Sequence, residues 1–161
     1  MKIGIIIHSH SGNTQYVAER LQEKLETAGH NVIIEKIIPA DNNPDTIKYS
    51  DIVLKNMPDI SPYEMLIFAG PVRGASASPV LAAYLTKLST LKNKKVACFV
   101  TEAFPFPWMG GNRAVRQLIG FCEKKGVDVR LTGIINWMNS KREKMIEDLI
   151  ERFSKALQEE I

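Results

Sequence analysis

The sequence of 161 residues has few of the features that mark specialised protein classes. It contains two cysteines, Cys98 and Cys122, which are too few for a disulfide-rich scaffold or for a zinc site built from cysteine alone. No apolar run approaches the roughly 18 residues that are needed to span a bilayer. The first residues also lack the apolar stretch and cleavage site of a secretory signal. We therefore expect a soluble cytoplasmic protein without a membrane partner.

A strong charge of one sign is also missing. Lys and Arg number 21, and Asp and Glu number 18, which leaves a formal net charge of +3. This surplus is too small and too dispersed to indicate nucleic-acid binding. Hydrophobic residues make up 45% of the chain and charged residues 24%, the proportions of an ordinary globular protein. At this length we expect one domain, spanning residues 1–161, with a sizeable core.

Short apolar runs alternate along the chain with longer segments of helical period. Strands are predicted over residues 3–7, 32–38, 65–69, 96–100 and 127–135, and helices over 13–28, 79–88 and 112–125, with a last helix after 140 and a weaker candidate over 45–54. This alternation favours an α/β fold of three layers, with a five-stranded parallel sheet of order 2-1-3-4-5 and helices on both faces. Ligands bind such sheets beyond the carboxyl ends of the strands.

Residues that favour helix ends support these boundaries. Gly29 and Gly126 stand where two of the helices should stop. Ser78, followed by Pro79, is predicted to cap the helix after the third strand. Residues 140–143 have the pattern of a capping box and are predicted to open the last helix.

The turn after the first strand, residues 8–14, is rich in hydroxyl groups. Gly12 allows a ligand to approach the backbone closely, and the following helix offers unpaired N–H groups and the positive end of its dipole. No Lys or Arg lies between Ile3 and Glu19. These features predict a site for a phosphate monoester, and the alternative is a polar turn that only caps the helix.

Other phosphate-binding and metal-binding patterns are missing. The turn has neither the G-x-x-x-x-G-K-[ST] pattern of P-loop nucleotidases nor the G-x-G-x-x-G pattern of dinucleotide-binding folds. Phe104 and Asp128 stand where the arginine of a C-x-x-x-x-x-R phosphatase loop would follow each cysteine. His8 and His10 supply only half of a metal site. We therefore predict neither a cysteine phosphatase nor a metal centre.

Residues 9–14, Ser-His-Ser-Gly-Asn-Thr, match the pattern [ST]-x-[ST]-G-x-T. With this motif after its first strand, the chain resembles the flavodoxin family, and the order of strands and helices agrees along the whole chain. The resemblance implies FMN as the cofactor, with its phosphate held in this turn. The implied phosphate ligands are Ser9, Ser11, Gly12, Asn13 and Thr14, and His10 belongs to the same cofactor-binding turn.

Two further turns would enclose the flavin ring. The turn over residues 70–78 consists mostly of small residues that leave room for a flat ligand, and it resembles the turn that supports one side of the ring. Segment 101–112 alternates aromatic residues with prolines, and by resemblance it covers the other side. Either one aromatic ring stacks on the flavin, or one or two of the rings pack into the core. The candidate residues in the two turns are Pro71, Val72, Arg73, Gly74, Thr101, Phe104, Phe106, Trp108 and Gly110.

Arg73 departs from an ordinary flavodoxin. A cation near N1 or N5 of the flavin would favour the anionic reduced form and raise the potential. Two alternatives are that Arg73 points to solvent, or that it receives a phosphate of a second ligand such as NADPH.

The resemblance implies a redox flavoprotein that transfers electrons through non-covalent FMN and needs no catalytic side chain. Its partner would be a redox protein or a small-molecule electron acceptor. The length favours a carrier, whereas the positive charge does not, because carrier flavodoxins are typically acidic. An NAD(P)H-dependent FMN oxidoreductase acting on a quinone or a flavin is the alternative, and a flavin-free binding module of the same fold is a further one. We expect a monomer or a homodimer.

Overall fold

The structure, a computed structural model, describes residues 1–41, 44 and 47–159. Its strands are β1 (Lys2–Ile7), β2 (Asn31–Lys36), β3 (Met65–Arg73), β4 (Ser76–Ala77), β5 (Lys95–Glu102) and β6 (Leu131–Asn136). Its helices are α1 (Asn13–Thr27), α2 (Pro79–Lys87), α3 (Gly111–Glu123) and α4 (Arg142–Glu159). Short 3₁₀ turns occur at Tyr49–Asp51 and Pro107–Met109.

The sheet has the strand order β2-β1-β3-β5-β6, with every neighbouring pair parallel. The two-residue strand β4 pairs antiparallel with the end of β3. The predicted order 2-1-3-4-5 is confirmed, since it is the same arrangement counted without β4. The central strand β1 lies between two others, so that Ile5 stands opposite both Ile34 and Ile67.

Hydrophobic cores lie on both faces of the sheet because the strands are apolar on both sides. Ile3, Ile5 and Ile7 pack with buried residues of α1 and α4. Ile6, on the opposite face of β1, belongs to the cluster that includes residues of α2 and α3. This coverage on both faces explains why the predicted strands read as continuous apolar runs. It also leaves the ends of the strands as the places where a site can form.

Gly4 leaves room for an aromatic ring on the α2–α3 face of the sheet. A Cβ atom at this position would lie 2.7 Å from Cδ2 of Tyr63. The ring is held in place because the Tyr63 hydroxyl donates a hydrogen bond of 2.5 Å to Glu35. We expect Gly4→Ala to lower the free energy of unfolding by about 1–3 kcal/mol, the usual cost of overpacking. Urea denaturation measures this difference.

The matched control is Gly120→Ala on α3. A Cβ there would meet no atom of the described residues within 4 Å, and alanine favours a helix by about 1 kcal/mol over glycine. We expect this variant to be as stable as the parent or more stable. Equal destabilisation by both substitutions would contradict the contact between Gly4 and Tyr63.

Helix boundaries follow the sequence signals in three of four cases. Ser78 caps α2, since its Oγ accepts a hydrogen bond from Leu81 N at 3.3 Å. Gly29 and Gly126 adopt φ values of 95° and 96° just beyond helices α1 and α3, as expected for helix-ending glycines. The capping box at residues 140–143 was a wrong prediction: α4 begins at Arg142, whose N–H donates to Asn139 O at 3.1 Å.

Several predicted elements differ in extent. β2 ends at Lys36 instead of residue 38, because Ile38 N donates to the side chain of Asn56. β6 begins at Leu131 instead of residue 127, because residues 127–130 form the connection that follows α3. Of the predicted helix over 45–54, the structure has only the 3₁₀ turn at Tyr49–Asp51, and residues 45 and 46 lie outside the described residues. In the described ranges, no helix has both the length and the apolarity to cross a membrane.

Candidate functional site

Four segments meet beyond the carboxyl ends of the strands. We call them the first loop (residues 8–12, after β1), the hairpin (residues 70–78, at the end of β3), the aromatic loop (residues 103–110, after β5) and the last loop (residues 137–141, after β6). The predicted site residues lie in the first three segments or directly beside them.

The first loop leads directly into the N-terminus of α1. Gly12 occupies the N-cap position with a left-handed φ of 92°, a conformation that other residues adopt only with strain. Glycine has no side chain with which to cap the helix, and His10, Ser11 and Gly12, which directly precede α1, are exposed. Ser9 Oγ accepts a hydrogen bond of 3.3 Å from Gln15 N. The loop therefore combines hydroxyl groups with the positive end of a helix dipole.

Thr14 and Thr101 are brought together from positions 87 residues apart. Their Oγ1 atoms are 2.8 Å apart, and both residues are buried. In such a pair one hydroxyl donates to the other, which leaves one hydroxyl hydrogen for a further acceptor. The contact fixes the start of α1 against the end of β5. Two of the predicted cofactor residues are therefore in direct contact.

His8 connects the end of β1 to the start of α2. Its ring Nδ1 lies 2.7 Å from Ser78 Oγ, its backbone N–H donates to Ala69 O, and the residue is buried. Ser78 is also the cap of α2. His8 is thus buried against the cap of α2, while His10 is exposed in the first loop.

The predicted turn over residues 70–78 is in fact a β-hairpin. β3 continues four residues beyond its predicted end, and Val72 and Arg73 pair with Ala77 and Ser76 of β4. Gly74 and Ala75 form the two-residue connection with φ values of 54° and 62°, as hairpin turns of this length require.

The hairpin is oriented by α3, because Ala77 N donates to the Gln117 side chain at 2.8 Å. Within the hairpin Pro71 is buried, Val72 and Arg73 are half-buried, and Gly74 is exposed. The predicted residues therefore lie on this hairpin at the end of β3. Its remaining residues are glycine, alanine and serine, which we call the shelf of small residues.

The three aromatic residues of the aromatic loop lie on the surface. Phe104, Phe106 and Trp108 are 55%, 48% and 73% exposed. The rings of Phe106 and Trp108 stack with an interplanar angle of 5° and centroids 6.0 Å apart. The alternative that one or two of these rings fill the core is therefore wrong. Large exposed aromatic groups of this kind are typical of binding surfaces.

The end of β6 and the last loop hold the aromatic loop and the end of β5 in place through four hydrogen bonds. Asn136 Nδ2 donates to Phe104 O at 3.0 Å, and Asn139 Nδ2 donates to Pro105 O at 2.9 Å. Two further bonds join the backbones: Trp137 N to Glu102 O and Met138 N to Ala103 O. These hydrogen bonds thus fix the backbone that carries the exposed rings.

Gly110 lies where the aromatic loop touches the hairpin. A Cβ at this position would be 2.9 Å from Ala75 Cα, and the φ of Gly110 is 129°. Close approach and backbone conformation both require glycine here. The predicted residues of the two segments are therefore adjacent in the structure.

Glu102 is a site residue that the sequence did not single out. Its side chain is buried between Asn136, whose Nδ2 donates to Oε1, and the backbone N–H of Gly111. Oε2 has no hydrogen-bond partner among the described residues. Burial raises the pKa of this carboxyl, while the hydrogen bonds from Asn136 and Gly111 oppose the rise. The available signal in the sequence was a carboxylate at the end of β5, a strand that is mostly apolar.

The raised pKa of Glu102 predicts a dependence of stability on pH. The folded chain holds this proton more tightly than the unfolded chain does, so the stabilisation is complete below the ordinary value of 4.5 and is lost as the pH rises through the folded-state pKa. Glu102→Gln cannot lose a proton. We expect the free energy of unfolding of the variant, relative to the parent, to be higher at pH 8 than at pH 5.

Urea denaturation at the two pH values measures this change. Glu123→Gln, at an exposed position on α3, is the control for removing a carboxylate. If the two variants show the same change with pH, Glu102 is not the group responsible.

The comparisons with known proteins identify the fold. No family model matches the chain, and no curated protein matches it either. The solved structure of Flavodoxin 2 from Bacillus cereus is similar over 100% of both chains, with 20% identity and a TM-score of 0.72. A flavodoxin from Streptococcus pneumoniae TIGR4 is similar over 100% of both chains, with 17% identity and a TM-score of 0.69.

A third similar structure is a Fusobacterium nucleatum flavodoxin bound to flavin mononucleotide. It matches 96% of this chain and 98% of its own, at 16% identity and a TM-score of 0.63. At such identities the likeness concerns the fold, and the predicted flavodoxin-like fold is confirmed. The chain is therefore an α/β protein of the flavodoxin fold.

Proposed function

We propose that the protein is a redox flavoprotein that binds FMN non-covalently and transfers electrons through it. The observation that carries this proposal is the first loop. It sets exposed hydroxyl groups and the left-handed Gly12 at the N-terminus of α1 and contains no Lys or Arg. Hydroxyl and amide donors of this kind suit the phosphate monoester of FMN.

The residues present fit FMN at both ends of the molecule. Ser9, Ser11, Asn13 and the Thr14–Thr101 pair would hold the phosphate. The shelf of small residues in the hairpin would support one side of the ring, and an exposed ring of the aromatic loop would cover the other side. The flavodoxin bound to flavin mononucleotide has the same fold, which supports this choice of cofactor.

Within this class we propose an electron carrier. When bound, FMN supplies the uptake and release of electrons, and the protein supplies the phosphate site and the surroundings of the ring. The described strands and helices form one sheet and its covering layers, and the described residues include no separate substrate domain. An acceptor protein is therefore the expected partner, and an NAD(P)H-dependent oxidoreductase is the competing outcome.

Flavin titrations of the purified apoprotein test the cofactor. FMN should bind and turn the protein yellow, while FAD should bind more weakly because its phosphate is part of a pyrophosphate. If neither flavin binds, the chain is a flavin-free module. Anaerobic addition of NADH and NADPH then separates the two activities. A carrier keeps its flavin oxidised, whereas bleaching by either nucleotide alone would indicate an oxidoreductase.

A further inference from the structure

The surface around the aromatic loop carries mostly positive charge, although Glu143, just beyond the last loop, lines a cavity with Met138 and Lys141. We define this surface by residues 8–18, 70–78, 101–122 and 136–142 and call it the loop face. Its single acidic residue in the sequence is Glu102, which is buried. The charged groups at its surface are therefore cationic. The arginines and lysine of the loop face are Arg73, Arg113, Arg116, Lys141 and Arg142.

Arg113 and Arg116 are the most available of these cations. They lie one turn apart near the start of α3, and both are exposed. Within the described part of the chain, no carboxylate lies within 4.0 Å of either guanidinium group. Together with Trp108 and Ala75 they border an open cavity of about 330 Å³. Two guanidinium groups without an ion-pair partner among the described residues thus line the same cavity as an exposed indole ring.

Exposed apolar side chains lie among these charges. Besides Phe106 and Trp108, Met138 of the last loop is 71% exposed. Aromatic residues, methionine and arginine are the types enriched in the centres of protein interfaces. The flavin ring can cover only part of this apolar surface, because one flat ring has one face to offer to the aromatic loop.

We propose that the loop face docks an acidic partner protein, with Arg113, Arg116 and Trp108 at the centre of the contact. This proposal rests on the proposed function, since the docked partner would lie beside the flavin. Apolar groups and cations spread over the aromatic loop, α3 and the last loop form a wider surface than a single phosphate would need. The complementary surface is therefore one that carries carboxylates around an apolar centre.

The experiment uses rubredoxin, a small acidic iron–sulfur protein, as the probe, and measures its Kd for the apoprotein and for the FMN-loaded protein by titration calorimetry at low salt. We expect the charge-reversal variant Arg113→Glu/Arg116→Glu to weaken binding at least tenfold. Binding by the parent should also weaken as salt is added, because salt screens exposed charges. Glutamate near a helix N-terminus is favourable, so α3 should remain folded.

The matched control is Lys92→Glu/Arg130→Glu, two exposed positions near the opposite ends of the strands. It changes the net charge by the same amount, and we expect less than a twofold change in Kd. Equal weakening by both double variants would overturn the proposal, because binding would then follow net charge alone. Absence of rubredoxin binding, or binding that is insensitive to salt, would overturn it as well.

Electron transfer provides the second measurement. In stopped flow, the FMN-loaded protein, reduced beforehand with dithionite, gives one electron to the ferric iron of rubredoxin, so that the iron becomes ferrous and the flavin is oxidised by one electron. The loop-face variant should slow this step at low salt, and the control variant should not. Failure to bind FMN would contradict the proposed function but leave the apoprotein titration readable. If instead the loop-face variant weakens the binding of NADPH and not of rubredoxin, the cations serve a dinucleotide and the docking proposal is wrong.

Discussion

Replacing Ser11 by aspartate is expected to weaken FMN binding at least 100-fold and to leave riboflavin binding within about threefold. Ser11 is exposed in the first loop, where the FMN phosphate would lie. The substitution removes a hydroxyl donor, and a hydrogen bond to a charged group contributes about 1.5–3 kcal/mol. It also adds a negative charge, and two like charges about 4 Å apart repel by about 4 kcal/mol near a protein surface. Riboflavin has no phosphate and should be little affected.

The matched control is Ser11→Asn, because the asparagine side chain is similar in size to aspartate and carries no charge. We expect FMN binding to weaken much less in this variant. The aspartate variant should not unfold, because a carboxylate near the N-terminus of α1 is worth about 0.3–1 kcal/mol in its favour. Fluorescence titration with both flavins and thermal unfolding of the apoproteins measure these effects. Equal losses for FMN and riboflavin would show that the first loop does not hold the phosphate.

The parts of the fold that could be predicted depend on neighbours in sequence. The isoleucines of β1 are buried on both faces, so the strand is a continuous apolar run in the sequence. The residues of the first loop come directly after it. The Ser78 cap and the helix-ending glycines also act within a few residues. These signals are local, and they place the first loop at the carboxyl end of the sheet before any tertiary contact is considered.

The hairpin escaped prediction because its strands have little local signal. β4 consists of Ser76 and Ala77, which have no preference for strands. Its pairing with Val72 and Arg73 is stabilised by a contact from α3, through the Gln117 side chain. The run of small residues around glycine therefore predicts an open turn, although the chain forms two paired antiparallel strands there.

The deeper half of the site is formed by residues far apart in sequence. The hydroxyls of Thr14 and Thr101 meet across 87 residues, and Glu102 meets Asn136 across 34. Neither a periodic pattern nor a short motif predicts contacts between residues so far apart in sequence. The sequence identifies Thr14 as a polar residue at the start of a helix and Thr101 as one at the end of a strand. Their bond to each other follows only from the packing of α1 against β5. The contact of the buried Glu102 carboxylate with Asn136 follows only from the register of β5 and β6.

The surface position of the aromatic loop also bears on what its rings do. Proline and aromatic residues in a turn are compatible with a plug for the core or with a binding surface. The hydrogen bonds from Asn136 and Asn139 fix the backbone of the loop, and its three aromatic rings are exposed. Their free faces are available to a flat ligand or to a partner protein.

Alanine substitutions of the three exposed rings are expected to distinguish these two roles. If one ring covers the flavin, FMN fluorescence is quenched in the complex with the parent protein. Removal of that ring should restore most of the fluorescence and weaken FMN binding by about tenfold, since an aromatic pair contributes about 0.5–1.5 kcal/mol beyond the area it buries. The comparison comprises Phe104→Ala, Phe106→Ala and Trp108→Ala.

The effect should be concentrated in one or two of these variants, because a single flat ring has only one face left to cover. Phe106 and Trp108 stack on each other, so the loss of one exposes the other and the two variants need not respond equally. Met138→Ala, in the neighbouring last loop, is the control for losing an exposed apolar side chain without a ring, and its complex should stay quenched. If all three aromatic variants also stay quenched and bind FMN as the parent does, the rings do not cover the flavin. They then belong to the partner surface, and their removal should weaken the binding of the acidic protein instead.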